Sequence, residues 1–446
     1  MTNHRPPAHW PSIIQFTLAL LAAITFFGLG LFALLGGFLE FADGATLRTI
    51  DALSFISSAA LLTLGACCVP SAFHALARIT GRSVRAWKLG NPAILLWLPP
   101  ALLLFVLGLG WLVSNFPPVA WVLLPPLHIL AIGLPLVWYL ALGAYRLEPT
   151  SPQRKWGAFG TGMVLSLVPI LLLELILAAI VFAIILLIAS QQPGFKFDLS
   201  LLLVWARQTS NPDPAIFIPF AEKYLLNIPT LLLGGLYVAV IIPFIEETFK
   251  PIGFLFVNRR KLTPTDGFVL GMLSGAGFAF IESVLQAASG ELWLGTVAGR
   301  IGAGLVHIAN SGLVGWGLAV AFGERKWGRL GRNYLMAIII HGAWNSLAIV
   351  MALGYTPGLV ISGLEEFPWG WAANFSLAGL VILGVISLTA LIRTNQKLRS
   401  PGAVTPGAAP RPGESREAPA ALDSPEPEPA PGSEPTILSG RSFKEN

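Results

Sequence analysis

The sequence predicts an all-α fold, a polytopic transmembrane helix bundle of about ten spans with both termini cytoplasmic and a disordered C-terminal tail. Three observations carry that expectation. Hydrophobic residues make up 54% of the 446 and charged residues only 11%, with a mean hydropathy of +0.71, a balance that soluble domains do not show. The apolar residues fall in runs near or above the ~20 residues that a helix needs to cross a bilayer. Lysine and arginine gather in alternate loops between those runs.

Taken in order, the apolar runs lie at roughly 13–39, 52–77, 92–113, 119–145 and 157–190, then 224–257, 267–288, 300–322, 333–353 and 373–392. The first is far longer than the apolar part of a signal peptide and is expected to remain as an anchor. Basic residues mark every second connection: Arg78, Arg82, Arg85 and Lys88; Arg146, Arg154 and Lys155; Arg259, Arg260 and Lys261; Arg325, Lys326, Arg329 and Arg332; and finally Arg393, Lys397 and Arg399. The loops between are poor in them, 354–372 holding only Glu365 and Glu366, so one alternation fits ten spans with cytoplasmic ends in a cell membrane. Proline pairs Pro99–Pro100 and Pro125–Pro126, with Pro169 and Pro243, interrupt apolar runs and are expected to bend their helices.

From about residue 396 the chain turns rich in Pro, Ala, Gly, Ser and Glu and cannot bury a core. The expected organisation is an N-terminal transmembrane region over 1–222, a second transmembrane region over 223–395 and a cytoplasmic tail over 396–446. The basic balance reports orientation in the bilayer and gives no sign of nucleic acid. The adjacent Cys67 and Cys68 suit neither a disulfide nor a structural zinc site. Phosphate-loop and H-E-x-x-H signatures are absent.

Chemistry is confined to the later spans. Glu246, Glu247 and Lys250 sit inside "VAVIIPFIEETFKPIGFLF", where each charge costs roughly 2.5 to 3.5 kcal/mol at membrane depth. Their spacings of three and four put them on one helix face and allow an internal ion pair. Glu282 follows on the seventh span, His307 with Asn310 and Ser311 on the eighth, and His341 with Asn345 on the ninth. At 1.5 Å per residue, Glu246 and His307 lie about 20 Å from the cytoplasmic flank, Glu282 about 24 Å and His341 about 13 Å, a common central band. Gly267, Gly271, Gly275, Phe278 and Glu282 share a face of small residues on which another helix can pack closely. His128 and Glu174 lack polar companions at helical spacing and read as packing residues.

The stretches "EETFK" (Glu246, Glu247, Lys250), "FAFIE" (Phe278, Glu282) and "HGAWN" (His341, Asn345) resemble the successive motifs of the PrsW-type intramembrane proteases, and more distantly the CAAX prenyl endopeptidase and bacteriocin-processing superfamily. The likeness covers roughly 223–352. Compared with the wider superfamily pattern, Lys250 replaces an arginine and Glu282 a histidine, the variation of PrsW-like members. The resemblance implies hydrolysis of peptide bonds in membrane-embedded substrates, such as single-span proteins, with Glu246, Glu247, Glu282, His307, His341 and Asn345 as catalytic residues and Lys250, Phe278 and Asn310 in support.

Two mechanisms fit these residues. Without metal, Glu246 or Glu247 is the general base on water, His341 and Asn345 hydrogen-bond the oxyanion, and His307 is an orienting or acid group. With metal, Glu247, Glu282, His307 and His341 offer carboxylate and imidazole ligands to a zinc ion. The extra negative charge of Glu282 tips the expectation towards a cation. A proton-coupled transporter could use the same Glu/His cluster, but such proteins show paired halves, and nothing in the first half mirrors this cluster. A non-catalytic membrane binding protein is the other alternative, and it predicts that Glu246 and Glu247 tolerate replacement.

Overall fold

The computed structural model describes residues 9–399 except 83, 85–92, 148–149, 209–216, 258–261, 357–360 and 362. The expected tail beyond Arg399 lies outside the described residues, as do Arg85, Lys88, Arg259, Arg260 and Lys261. The regular elements are helices: α1 (Trp10–Ala42), α2 (Ala52–Ile79), α3 (Ile94–Ser114), α4 (Pro117–Ala144), α5 (Pro152–Gly160), α6 (Leu167–Ala189), α7 (Phe195–Gln208), α8 (Phe217–Tyr224), α9 (Ile228–Leu236), α10 (Ile242–Phe249), α11 (Pro264–Val284), α12 (Leu292–Glu324), α13 (Trp327–Tyr355) and α14 (Trp369–Arg399). Among the described residues, ten helical stretches are long and apolar enough to cross a membrane, one on each predicted run; the fifth is Pro152–Ala189 and the sixth Ile228–Phe256. The chain is a multi-pass membrane protein.

Those two spans are not continuous α-helix, and proline explains why. π turns at Thr161–Leu165 and Tyr237–Ile241 lie just upstream of Pro169 and Pro243, whose missing N–H groups leave carbonyls on the preceding turn without their helical donors. After α10 comes Pro251, and the chain tightens into a 3-10 turn over Lys250–Phe256.

The centre of the bundle is the pair α11 and α12. Their most apolar windows are 89% and 83% buried, against 6% for the fifth span. Glycine makes this possible. A Cβ at Gly267 would stand 2.5 Å from the Gly315 carbonyl and one at Gly275 2.5 Å from the His307 carbonyl, while Gly271 faces the Ser311 carbonyl. On the other side of α11, Gly277 faces the Phe159 carbonyl of α5, and Gly162 faces Ser274. The predicted small-residue face therefore meets the helix that carries His307.

The earlier spans close around this centre, tied by local polar contacts. Ser58 donates to the Gly30 carbonyl at 2.8 Å, joining α1 and α2. His128, fully buried on α4, meets the Val284 carbonyl at 3.2 Å. Between spans five and six, Asp198 of α7 accepts from Lys223 (2.7 Å) and Tyr224 (2.6 Å) on or beside α8.

Candidate active site

Four helices and one turn bring their charged residues to a single buried point. Glu246 and Glu247 end α10, and Lys250 opens the 3-10 turn, its side chain wholly buried. The helical spacing read from sequence produces both ion pairs: Lys250 Nζ lies 2.9 Å from Glu246 Oε2 and 2.7 Å from Glu247 Oε1. The ammonium also donates to His307 Nδ1 at 2.7 Å and sits 4.6 Å from the centre of the Phe278 ring. Ser274 Oγ of α11 donates to the Lys250 carbonyl at 2.5 Å, fixing the backbone from which that side chain projects.

Each histidine is held from behind by a carboxylate. His307 Nε2 lies 2.9 Å from Glu282 Oε2, and His341 Nδ1 lies 3.0 Å from Glu247 Oε1. Those nitrogens carry the protons, because a carboxylate can only accept. The opposite nitrogens then present lone pairs inward: His307 Nδ1 is 4.0 Å and His341 Nε2 3.7 Å from Glu246 Oε2, and the rings meet edge to face at 4.9 Å. Glu246, His307 and His341 thus offer one ligand atom each within 4.8 Å of one another.

A carboxylate oxygen and two imidazole lone pairs converging in this way repel one another unless a cation lies between them; here Lys250 Nζ is that cation for Glu246 Oε2 and His307 Nδ1, and a metal held by all three would take its place. One carboxylate and two histidines are also the protein ligand set of some catalytic zinc sites, which keep a fourth position open. The carboxylates behind the histidines match the outer partners that orient metal-binding imidazoles. The donor set fits a divalent metal.

The other predicted residues take distinct places. Glu247 and Glu282, expected as metal ligands, stand behind the histidines, and Glu246 faces them. Glu282 is further tied to Arg300 Nη2 of α12 at 2.6 Å. Asn345, expected at the oxyanion, instead donates to the Val238 carbonyl at 3.2 Å. That carbonyl is one that Pro243 leaves without a helical donor, and its neighbour Ala239 is approached by Gly342. Asn345 and Gly342 therefore dock α13 on the π turn. Asn310 donates to the Ala337 carbonyl at 3.0 Å and joins α12 to α13 one turn from His307.

Sequence reasoning passed over Arg300 and read Glu174 as a packing residue. Arg300 precedes His307 by seven residues, two helical turns on the same face, and that spacing was the available signal. Glu174 of α6 lies within electrostatic reach of Glu246, Glu282 and Lys250. Only the packing of α6 beside α10 brings it there, and no spacing in the sequence shows that.

Residues 151–364 match the family model described as PrsW family intramembrane metalloprotease. The chain carries a PrsW-family domain. The match takes in α5 to α13, including the fifth span and Glu174, upstream of the three motifs. No curated protein and no solved structure matches the chain. The PrsW domain is an intramembrane protease domain, and its buried Glu246, His307 and His341 can hold a metal or act directly in catalysis.

Proposed function

We propose that this PrsW domain cleaves single-span membrane proteins near the bilayer, with a zinc ion held by Glu246, His307 and His341. The observation that supports this most strongly is the pairing of each histidine with a carboxylate on its outer nitrogen while its inner nitrogen faces Glu246. Zinc, when bound, supplies a Lewis acid and lowers the pKa of water towards about 7.

The chain's own residues do the rest. Glu247 keeps one oxygen on His341 and Lys250, while its Oε2 is buried with no hydrogen bond among the described residues. That oxygen is the proton acceptor for water and later the donor to the leaving amine. Lys250 offsets the charge of the two adjacent carboxylates, and with zinc on Glu246 and His307 its remaining partner is Glu247. Glu282, fixed by Arg300, orients His307. Phe278, edge-on to His307 at 5.5 Å, shields the site.

The contacts of Lys250 favour a second reading, in which its ammonium is the resident cation and Glu246 or Glu247 activates water without metal. The loops rich in Arg and Lys support cytoplasmic ends in a cell membrane. The test is cleavage of reconstituted single-span substrates by the wild type and Glu247→Gln, with and without a chelator. Cleavage lost in the variant, and lost with chelator until zinc is restored, supports the zinc reading. Chelator-resistant cleavage supports the lysine reading. Equal cleavage by both proteins sinks the site.

A further inference from the structure

A cavity of about 680 Å³ lies apart from this site. Its walls come from the first turns of α1, the last turns of α2, the start of α5, the 3-10 turn after Lys250 and the first half of α11. Alternating spans place all these ends on one side of the membrane, the side where Arg and Lys gather.

The lining is divided in character. Arg78, Arg82 and Arg154 bring three guanidinium groups, and among the described residues no Asp or Glu contributes to the wall. Ile14, Leu18, Phe254 and Leu270 form an apolar part. Side-chain amides brace the frame: Gln15 Nε2 donates to Ser71 Oγ at 3.1 Å and to the Gln153 carbonyl at 3.3 Å, and Gln153 Nε2 donates to Ser12 Oγ at 2.8 Å. Those bonds fasten α1, α2 and α5 together around the opening.

We propose that this cavity binds an anionic phospholipid. Guanidinium groups without a carboxylate partner in the wall suit a phosphate, which they can grip through paired hydrogen bonds. The apolar wall suits the start of an acyl chain, and a free phosphate would leave it wet. A volume within the usual ~300 to 1,000 Å³ of ligand sites accommodates a headgroup. The bound lipid touches the turn that positions the active site, because Gly253 and Phe254 line the cavity and belong to the same 3-10 turn as Lys250. Ser274 also lines it, and its hydroxyl holds the Lys250 carbonyl.

The test needs no proteolytic activity. The purified full-length protein in neutral detergent is titrated with phosphatidylglycerol, phosphatidylcholine and glycerol 3-phosphate, and retained lipid is counted by native mass spectrometry. One phosphatidylglycerol per chain should be held, with phosphatidylcholine much weaker. Combining Arg78→Gln, Arg82→Gln and Arg154→Gln should weaken that binding roughly a hundredfold, at about 1 kcal/mol for each basic residue. Leu18→Trp, which fills the apolar part and leaves every charge, should also block it. Equal retention of both lipids, or undiminished binding in the triple variant or in Leu18→Trp, would overturn the proposal. Glycerol 3-phosphate binding as tightly as phosphatidylglycerol would also overturn it, making this a site for soluble phosphates.

Discussion

His128 and His307 are both buried in this bundle at membrane depth, yet they belong to regions built on different terms. His128, among the earlier spans, meets one backbone carbonyl of a neighbouring helix. His307 meets an ammonium, a carboxylate and a second imidazole drawn from three other elements. The same side chain is a packing group in one place and part of a reactive cluster in the other. The difference lies in whether polar groups from separate helices reach the same depth, because an isolated polar group needs one hydrogen bond while a cluster of charges needs each of its members.

That contrast can be broken most forcefully at Lys250. Lys250→Ala leaves Glu246 and Glu247 buried together without their cation, and is expected to abolish cleavage and cost about 3 to 5 kcal/mol. Thermal unfolding in detergent beside a cleavage assay measures both. Gly275→Ala acts on the same cluster through the backbone, since its Cβ would meet the carbonyl of His307. Forcing α11 from α12 should cost about 1 to 3 kcal/mol and lower cleavage by displacing His307.

Asn345→Ala sharpens the comparison. As a group that docks α13 on the π turn, Asn345 should contribute roughly 0.6 to 1.7 kcal/mol, with a few-fold fall in cleavage. An oxyanion donor would cost about 100- to 1,000-fold in turnover at nearly unchanged stability, so measuring both quantities separates the roles. The smallest effect belongs to His128→Leu, which should cost about 1 kcal/mol and leave cleavage unchanged.

The span count was legible in sequence because bilayer thickness sets the length of an apolar run, and all ten predicted runs became helices. The meeting of Glu246, Glu247, Lys250, Glu282, His307 and His341 was legible from depth, since charge inside a membrane needs compensation. Their division of labour was not. Helical spacing places Glu246 and Glu247 on neighbouring positions but does not say which faces the histidines, and the π turn ahead of Pro243 decides that. The contact of Asn345 with Val238 was hidden for the same reason, because the carbonyl it serves becomes available only when that turn widens. Glu174 arrives from a helix whose own sequence holds no other charge.

The most direct test of the account is the metal content of the purified protein, compared with Glu246→Gln, His307→Ala and Lys250→Met, each checked for cleavage. The account predicts one zinc per chain in the wild type, loss of zinc and cleavage together in the first two variants, and retained zinc in Lys250→Met, since removing the ammonium clears the space between Glu246 and His307. A fully active protein without bound metal would contradict it, and would leave Lys250 as the cation of this site.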